Sequence, residues 1–321
     1  MEANDYESEI HLLRSALIVS SLQKRDDLKA QGDIREYSEK LDWEPLSEHE
    51  ILGDVWKHVV EDLQLPPKLV FCHWRILAAN PSTSLYYRGL SGLSRKLAAK
   101  YSGASIDAAE KGTSQRLAED TARRIARVYN RFVCSVIEGC DGWTMDDGHR
   151  TIIATLGITL DGSMRNRIGT IAEDRIRRLV LAWLLNQNAI VSPEISGANV
   201  MPLPHKFVLA TGIEMSFASE PDISFVRNGE LLAVVEIKGG TDPAGALERY
   251  GAATKSFQHA IASSARCRNF YLAAAITPEL ARRIETDRLV EHTFSIVRIL
   301  DDPATRDSFL TELFHHTLRL V

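Results

Sequence analysis

The most constraining stretch of the chain is residues 231–237, which carry no charge before Glu236 and are followed at once by Lys238. A strand that is apolar on both faces belongs in the middle of a covered sheet. Residues 223–226 form a second, shorter run of β type, and Arg227-Asn228-Gly229 separates the two. Asn-Gly between apolar runs is a strong hairpin signal, because both positions of the favoured turn need positive φ. A tight antiparallel hairpin is therefore predicted here.

Downstream, the pattern predicts a helix over 244–265, a buried strand over 270–276, a helix over 278–290, a strand near 294–300 and a terminal helix over 303–320. Strand alternating with helix implies an α/β core. Residues 190–220, punctuated by Pro and Gly, predict short strands and loops. The first half reads helical, over 7–29, 47–63, 92–102 and 114–138. Ser47 followed by Glu50 has the spacing of a capping box, and Pro66-Pro67 closes that helix. Residues 139–148 predict a loop, and a further helix is predicted over 163–186 with Ile168, Ile171, Ile176, Leu179, Val180, Trp183 and Leu184 on its apolar face. The expected fold class is α/β (α+β): a mainly helical region, 1–150, and a core, 151–321, with a central mixed sheet flanked by helices.

Composition narrows the function. Of 321 residues 45% are hydrophobic, which is enough to bury a large core. The N-terminal MEANDYESEI lacks the basic start and apolar run of a signal peptide. No stretch approaches the roughly 18 apolar residues of a membrane helix, so a cytoplasmic protein with no membrane partner is expected. Cys72, Cys134, Cys140 and Cys267 then read as reduced thiols, without the CxxC spacing of a zinc site. The net charge of −5 argues against a simple non-specific DNA binder. It leaves open a site-specific enzyme whose positive charge is confined to a cleft.

The hairpin carries the chemistry. Side chains alternate along a strand, so Glu236 and Lys238 point one way and Ile237 points into the core. A hairpin centred on Asn228-Gly229 brings Asp222, preceded by Pro221, beside Glu236. Two adjacent carboxylates repel unless a cation lies between them. Mg²⁺ is the cation expected, since it prefers oxygen ligands and keeps several waters; Asp222, Glu236 and the Ile237 carbonyl are its candidate ligands. Lys238 is suited to orient a water and stabilise developing charge, so Asp222, Glu236 and Lys238 are the candidate catalytic residues for phosphodiester hydrolysis. The bland alternative is a surface hairpin with a Glu–Lys pair.

This arrangement resembles the PD-(D/E)xK nuclease superfamily. The segment EIKGGTDPAGALERYGAATKSF (236–257) resembles type II restriction endonucleases of the AvaI/BsoBI kind, as does DGSMRNRIGTIAEDRI (161–176). Nearly the whole sequence, including YYRGLSGLSRK (86–96), is similar to the XcyI family of restriction endonucleases. The resemblance implies a Mg²⁺-dependent homodimer that cuts double-stranded DNA within a G/C-rich palindrome, CCCGGG, leaves a 5′ phosphate, and works beside a cognate DNA methyltransferase. In that setting 1–150 would embrace the duplex and supply dimer contacts.

The resemblance also implies that Asp242 reads a base edge, where a carboxylate can accept from cytosine N4; equally, it can cap the following helix. Arg249 stands where those relatives carry His, which puts histidine-assisted chemistry in doubt and suggests a phosphate contact or a pairing at the core rim. Ser163, Arg165 and Asn166 sit at a predicted helix start, where free N–H groups favour a phosphate; capping explains them as well. Glu173 reads best as a helical partner of Arg177. Tyr86, Tyr87, Arg88, Arg95, Lys96 and Lys100 form a basic-aromatic cluster that could hold the DNA backbone or pack inward. Two other readings stay open: a repair nuclease or resolvase on the same core, and a DNA-binding module that does not cut.

Overall fold

The computed structural model describes residues 6–24, 26–110 and 113–320. Its helices are α1 (Tyr6–Lys24), α2 (Asp26–Glu36), α3 (Gly53–Trp56), α4 (Trp74–Ala79), α5 (Ser84–Leu90), α6 (Arg95–Ser102), α7 (Asp107–Glu110), α8 (Glu119–Glu138), α9 (Met145–Asn186), α10 (Ala246–Ser263), α11 (Pro278–Asp287), α12 (Ile296–Asp301) and α13 (Pro303–Leu310). Its strands are β1 (Ile190–Ser192), β2 (Lys206–Leu209), β3 (Ile213–Phe217), β4 (Ile223–Arg227), β5 (Glu230–Lys238), β6 (Arg268–Ala273) and β7 (His292–Ser295). The chain divides into two compact units, residues 15–163 and residues 1–14 with 164–321. Among the described residues no helix is long and apolar enough to cross a membrane.

The second unit is α+β. Its seven strands lie in chain order; β1 to β5 pair antiparallel, and β5, β6 and β7 pair parallel. Antiparallel neighbours need only a turn, whereas the parallel step from β5 to β6 needs a crossover, and α10 supplies it. Alternation along β5 sorts its side chains into two cores. Ala233, Val235 and Ile237 join the cluster that includes Ala172, Ile176, Val180 and Leu184 of α9 and Phe309 and Leu310 of α13. Val234 joins Tyr250, Ala253 and Phe257 of α10 and Leu280 of α11. The run is thus apolar on both faces because both faces are covered.

The first unit is helical. The apolar stripe of α8, including Ile125, Tyr129 and Val133, is its spine, packed with Phe71, Ile76, Tyr86 and Tyr87. Asn130 is buried within that stripe. Its Oδ1 accepts from the Cys72 N–H at 2.7 Å, and its Nδ2 donates to the carbonyls of His49 (2.9 Å) and Cys72 (3.0 Å). Cys72, Cys134, Cys140 and Cys267 are all free thiols.

Several local expectations change. Residues 47–63 do not form one helix: Glu50 takes a left-handed backbone, φ 58°, and ends a turn at 46–49 before α3 begins. The predicted strand at 294–300 is mostly helix, because Ser295 ends β7 and its Oγ accepts from the Arg298 N–H at 3.4 Å, capping α12. The predicted start at 163 is absent. Residues 145–186 are a single helix, and Gly157 and Gly162 are absorbed in its interior at the modest cost such glycines carry.

Candidate active site

Asn228 (φ 51°) and Gly229 (φ 79°) form the tight turn between β4 and β5, both in the left-handed region that the Asn-Gly signal anticipates. The turn alone does not build the site. Its closing pair is Arg227 with Glu230, and that register continued evenly would set Asp222 opposite Val235. Instead a bulge intervenes: Val226 pairs with Leu231, but Phe225 pairs with Ala233 and Ile223 with Val235. The one-residue slip at Leu232 brings Asp222 level with Glu236. It also changes which β5 residues share its face, since strand side chains alternate with period two.

The resulting cluster is tight and dry. Asp222 and Glu236 are each 2% exposed. Asp222 Oδ2 accepts from the Ile237 backbone N–H at 2.7 Å and from Lys238 Nζ at 3.4 Å. Lys238 Nζ also donates to Glu236 Oε2 at 2.6 Å. Glu236 Oε1 is buried with no hydrogen-bond partner. Upstream, Arg177 of α9 donates to the backbone carbonyls of Ala218 (2.6 Å) and Asp222 (3.3 Å), pinning the approach to β4. Its ion pair with Glu173, 3.6 Å, matches the helical pairing expected from the sequence.

Burial raises the pKa of both carboxyls, and the Lys238 ammonium only partly offsets it; Glu236 is raised further by Asp222, and Asp222 by Glu173. Burial would lower Lys238, but the two carboxylates outweigh it and hold the ammonium charged. Two carboxylates against one ammonium leave a net negative charge in a desolvated place, a state that a bound cation relieves. The donor set fits a hard divalent ion: its side-chain donors are carboxylate oxygens, and one buried carboxylate oxygen lacks a partner. Among the described residues no group of three or more His, Cys, Asp or Glu is arranged to hold a metal. Carbonyl, water or phosphate oxygens would therefore complete the coordination.

The loop after β5 is shaped by two close approaches. A Cβ at Gly239 would lie 2.3 Å from Ala172 Cβ and 3.0 Å from the Ile168 carbonyl oxygen, so only glycine lets β5 leave the sheet against α9. Gly240 and Gly245 lie beneath the Arg249 guanidinium, where added Cβ atoms would meet Nη1 at 2.9 and 2.6 Å. Arg249 Nη2 donates to the Asp242 carbonyl. Asp242 is exposed, and its Oδ1 accepts from the Ala244 N–H at 3.1 Å, so the capping role expected of it is present. Arg249 fastens this loop through the Asp242 carbonyl.

Two groups of candidates need correction. Ser163, Arg165 and Asn166 do not begin a helix; they lie inside α9, and Ser163 Oγ donates back to the Thr159 carbonyl at 3.0 Å. Their backbone N–H groups are therefore committed to the helix, and the helix-terminus phosphate site is withdrawn. Ser163, Arg165 and Asn166 remain exposed.

Tyr86, Tyr87 and Arg88 are core residues and offer DNA no surface. Tyr86 and Tyr87 donate to the Leu69 (2.8 Å) and Lys68 (2.7 Å) carbonyls. Arg88 forms a two-point pair with buried Glu110, at 2.5 and 3.1 Å, and donates to the Leu93 carbonyl. Lys96 is exposed. Sequence reasoning missed Arg177 as a backbone clamp and Ser256 as a neighbour of Glu236; both lie at ordinary helix positions that carry no motif.

A family model described as XcyI restriction endonuclease matches residues 31–306, most of the chain. A search of curated proteins returns no match.

Proposed function

The chain belongs to the XcyI restriction endonuclease family and is a site-specific deoxyribonuclease, and we propose that Asp222, Glu236 and Lys238 form its catalytic centre with Mg²⁺ as cofactor. The observation that carries this reading is the buried cluster itself. Two carboxylates and an ammonium meet within hydrogen-bonding range, and one carboxylate oxygen is left without a partner.

Asp222, Glu236 and the Ile237 carbonyl would hold the ion. When bound, it supplies polarisation of the scissile phosphate and a lowered pKa for water. The Ile237 N–H fixes the orientation of Asp222 by taking up Oδ2. Lys238, held charged by its neighbours, orients the attacking water and stabilises negative charge as it grows on the phosphate. No covalent nucleophile is required. The exposed side chains of Asp242, Ser163, Arg165, Asn166 and Lys96 are proposed DNA contacts, with Asp242 reading a base edge. Arg249 contributes by fixing the loop that presents Asp242.

The enzyme acts, in this reading, as a cytoplasmic homodimer on a G/C-rich palindrome, CCCGGG, leaving 5′ phosphates and paired with a methyltransferase that protects the host. Two-fold protein symmetry suits a palindrome, because each copy presents the same readers to one half-site. The test is digestion of a plasmid of known sequence with Mg²⁺ and with EDTA, followed by mapping of the ends. Metal-dependent ends at one repeated palindrome support the proposal. A smear, or cleavage of branched DNA alone, would favour a repair nuclease or resolvase, and specific retention without cleavage would favour a binding module.

A further inference from the structure

Lys238 and Glu236 Oε2 account for one side of the Glu236 carboxylate; the other side is unexplained. Glu236 Oε1 is buried and unpartnered, and so is the hydroxyl of Ser256, an α10 residue 7% exposed in the layer covering β5. A buried hydroxyl and a buried carboxylate oxygen, each left without a partner, both carry a desolvation cost that their mutual hydrogen bond would remove. We infer that Ser256 is a positioning residue for DNA cleavage, whose hydroxyl donates to Glu236 and fixes the carboxylate in one orientation.

This rests on the reading of Glu236 as a metal-holding residue. Ser256 is near enough to Glu236 to hold the carboxyl toward its charged form, although neither buried atom has a partner in place. A carboxylate has about four lone-pair sites on its two oxygens. Lys238 occupies one, and Ser256 can take one on Oε1 while another remains for a cation. The hydroxyl comes from a helix rather than from the catalytic hairpin, so it locks the carboxylate from a second element. Tyr250 and Ala253 lie on the same buried face of α10, which makes the position of Ser256 a consequence of helix packing rather than of loop geometry.

The test uses the full chain with Ser256→Ala, Ser256→Thr and Glu236→Gln. Mn²⁺ affinity is measured without DNA by electron paramagnetic resonance, cleavage is split into kcat and KM, and thermal melting reports folding. Partners that orient a metal ligand typically contribute about 10–100-fold in metal affinity. Ser256→Ala should therefore weaken Mn²⁺ binding by about tenfold or more and lower kcat, with KM for DNA and the melting curve little changed. Ser256→Thr, which keeps the hydroxyl, should recover both.

If Ser256→Ala binds Mn²⁺ and cuts as the native chain does while Glu236→Gln is inactive, the role of Ser256 is refuted and that of Glu236 stands. Loss in Ser256→Ala that merely follows a fall in folded fraction, with Mn²⁺ affinity of the folded chain intact, also refutes it. A Glu236→Gln chain that still cuts and binds Mn²⁺ overturns the catalytic reading beneath.

Discussion

Gly239→Ala is the sharpest perturbation the structure offers, because it adds one methyl group directly behind the proposed catalytic lysine. The new Cβ would fall 2.3 Å from Ala172 Cβ, 3.0 Å from the Ile168 carbonyl oxygen and 3.3 Å from Gly169 Cα. Carbon atoms pack best at about 3.5–4.0 Å, so β5 and α9 must part by more than about 1 Å. Neither neighbour can swing aside, since all three contacts are a helix backbone or its first side-chain atom. Overpacking of this kind costs about 1–3 kcal/mol. The displaced residue adjoins Lys238, whose Nζ sits 2.6 Å from Glu236. A misplacement of about 1 Å at a reacting centre can lower the rate about 10²-fold.

Urea denaturation should show the stability loss, and plasmid cleavage under single-turnover conditions the rate loss. Gly239→Ala combined with Ala172→Gly removes the worst clash at a helix-propensity cost of about 1 kcal/mol, so the double variant should stay less stable yet regain most of the rate. A Gly239→Ala chain that melts and cuts like the native one would refute the close-approach argument. A double variant as slow as the single one would show that the rate loss has another origin.

Lys238→Met and Glu236→Gln should each reduce cleavage at least 10²–10³-fold, roughly the effect of deleting one charge-stabilising group, while gel-shift affinity for cognate DNA in EDTA survives; retained cleavage would exclude the residue concerned. Arg88→Ala should destabilise the helical unit by about 3 kcal/mol, because the buried Glu110 carboxylate loses its two-point partner and keeps only the longer pair with Arg95 at 3.9 Å. In folded protein it should leave DNA affinity unchanged, so a selective loss of binding would restore the surface role.

His73 gives the pH dependence. Its Nε2–H donates to the Asp42 carbonyl at 3.0 Å, and its Nδ1 accepts from the Arg75 N–H at 3.2 Å. Burial lowers its pKa to about 4, with His49 and nearby arginines adding to the effect. The folded state thus refuses a proton that the unfolded chain binds below its ordinary value near 6.5. Stability from this group is full above about pH 6.5 and declines as pH falls toward about 4, by up to about 3 kcal/mol. Urea midpoints of native protein and His73→Gln across that window should diverge in slope; parallel lines would show that His73 is not the titrating group.

The amino-acid sequence by itself determined a good deal. The uncharged stretch 231–235 fixed a strand covered on both faces, because a run of five apolar residues leaves neither face of a strand suited to water. Asn228-Gly229 fixed the turn, since few other dipeptides take positive φ twice. The order Asp222, Glu236, Lys238 and the resemblance to restriction endonucleases then pointed to the chemistry, and the family match agrees with that resemblance. Helix 114–138 was legible from its stripe, within a few residues of α8.

Tertiary structure decided the rest. The bulge at Leu232 that brings Asp222 level with Glu236 is a property of strand pairing, and an even hairpin of the same sequence would place it elsewhere. Tyr86, Tyr87 and Arg88 look like a DNA surface in one dimension, but a cluster of aromatic and basic residues is equally a hydrogen-bonded core. Only their partners, backbone carbonyls and buried Glu110, distinguish the two. The long helix α9 overrides the apparent start at 163 because glycine and serine weaken a helix by only about a kcal/mol each, less than packing its apolar face returns. Ser256 has no local signature at all. Its significance depends on which buried atom of another element it meets, and that is information held in the packing of α10 on β5 and in no stretch of sequence.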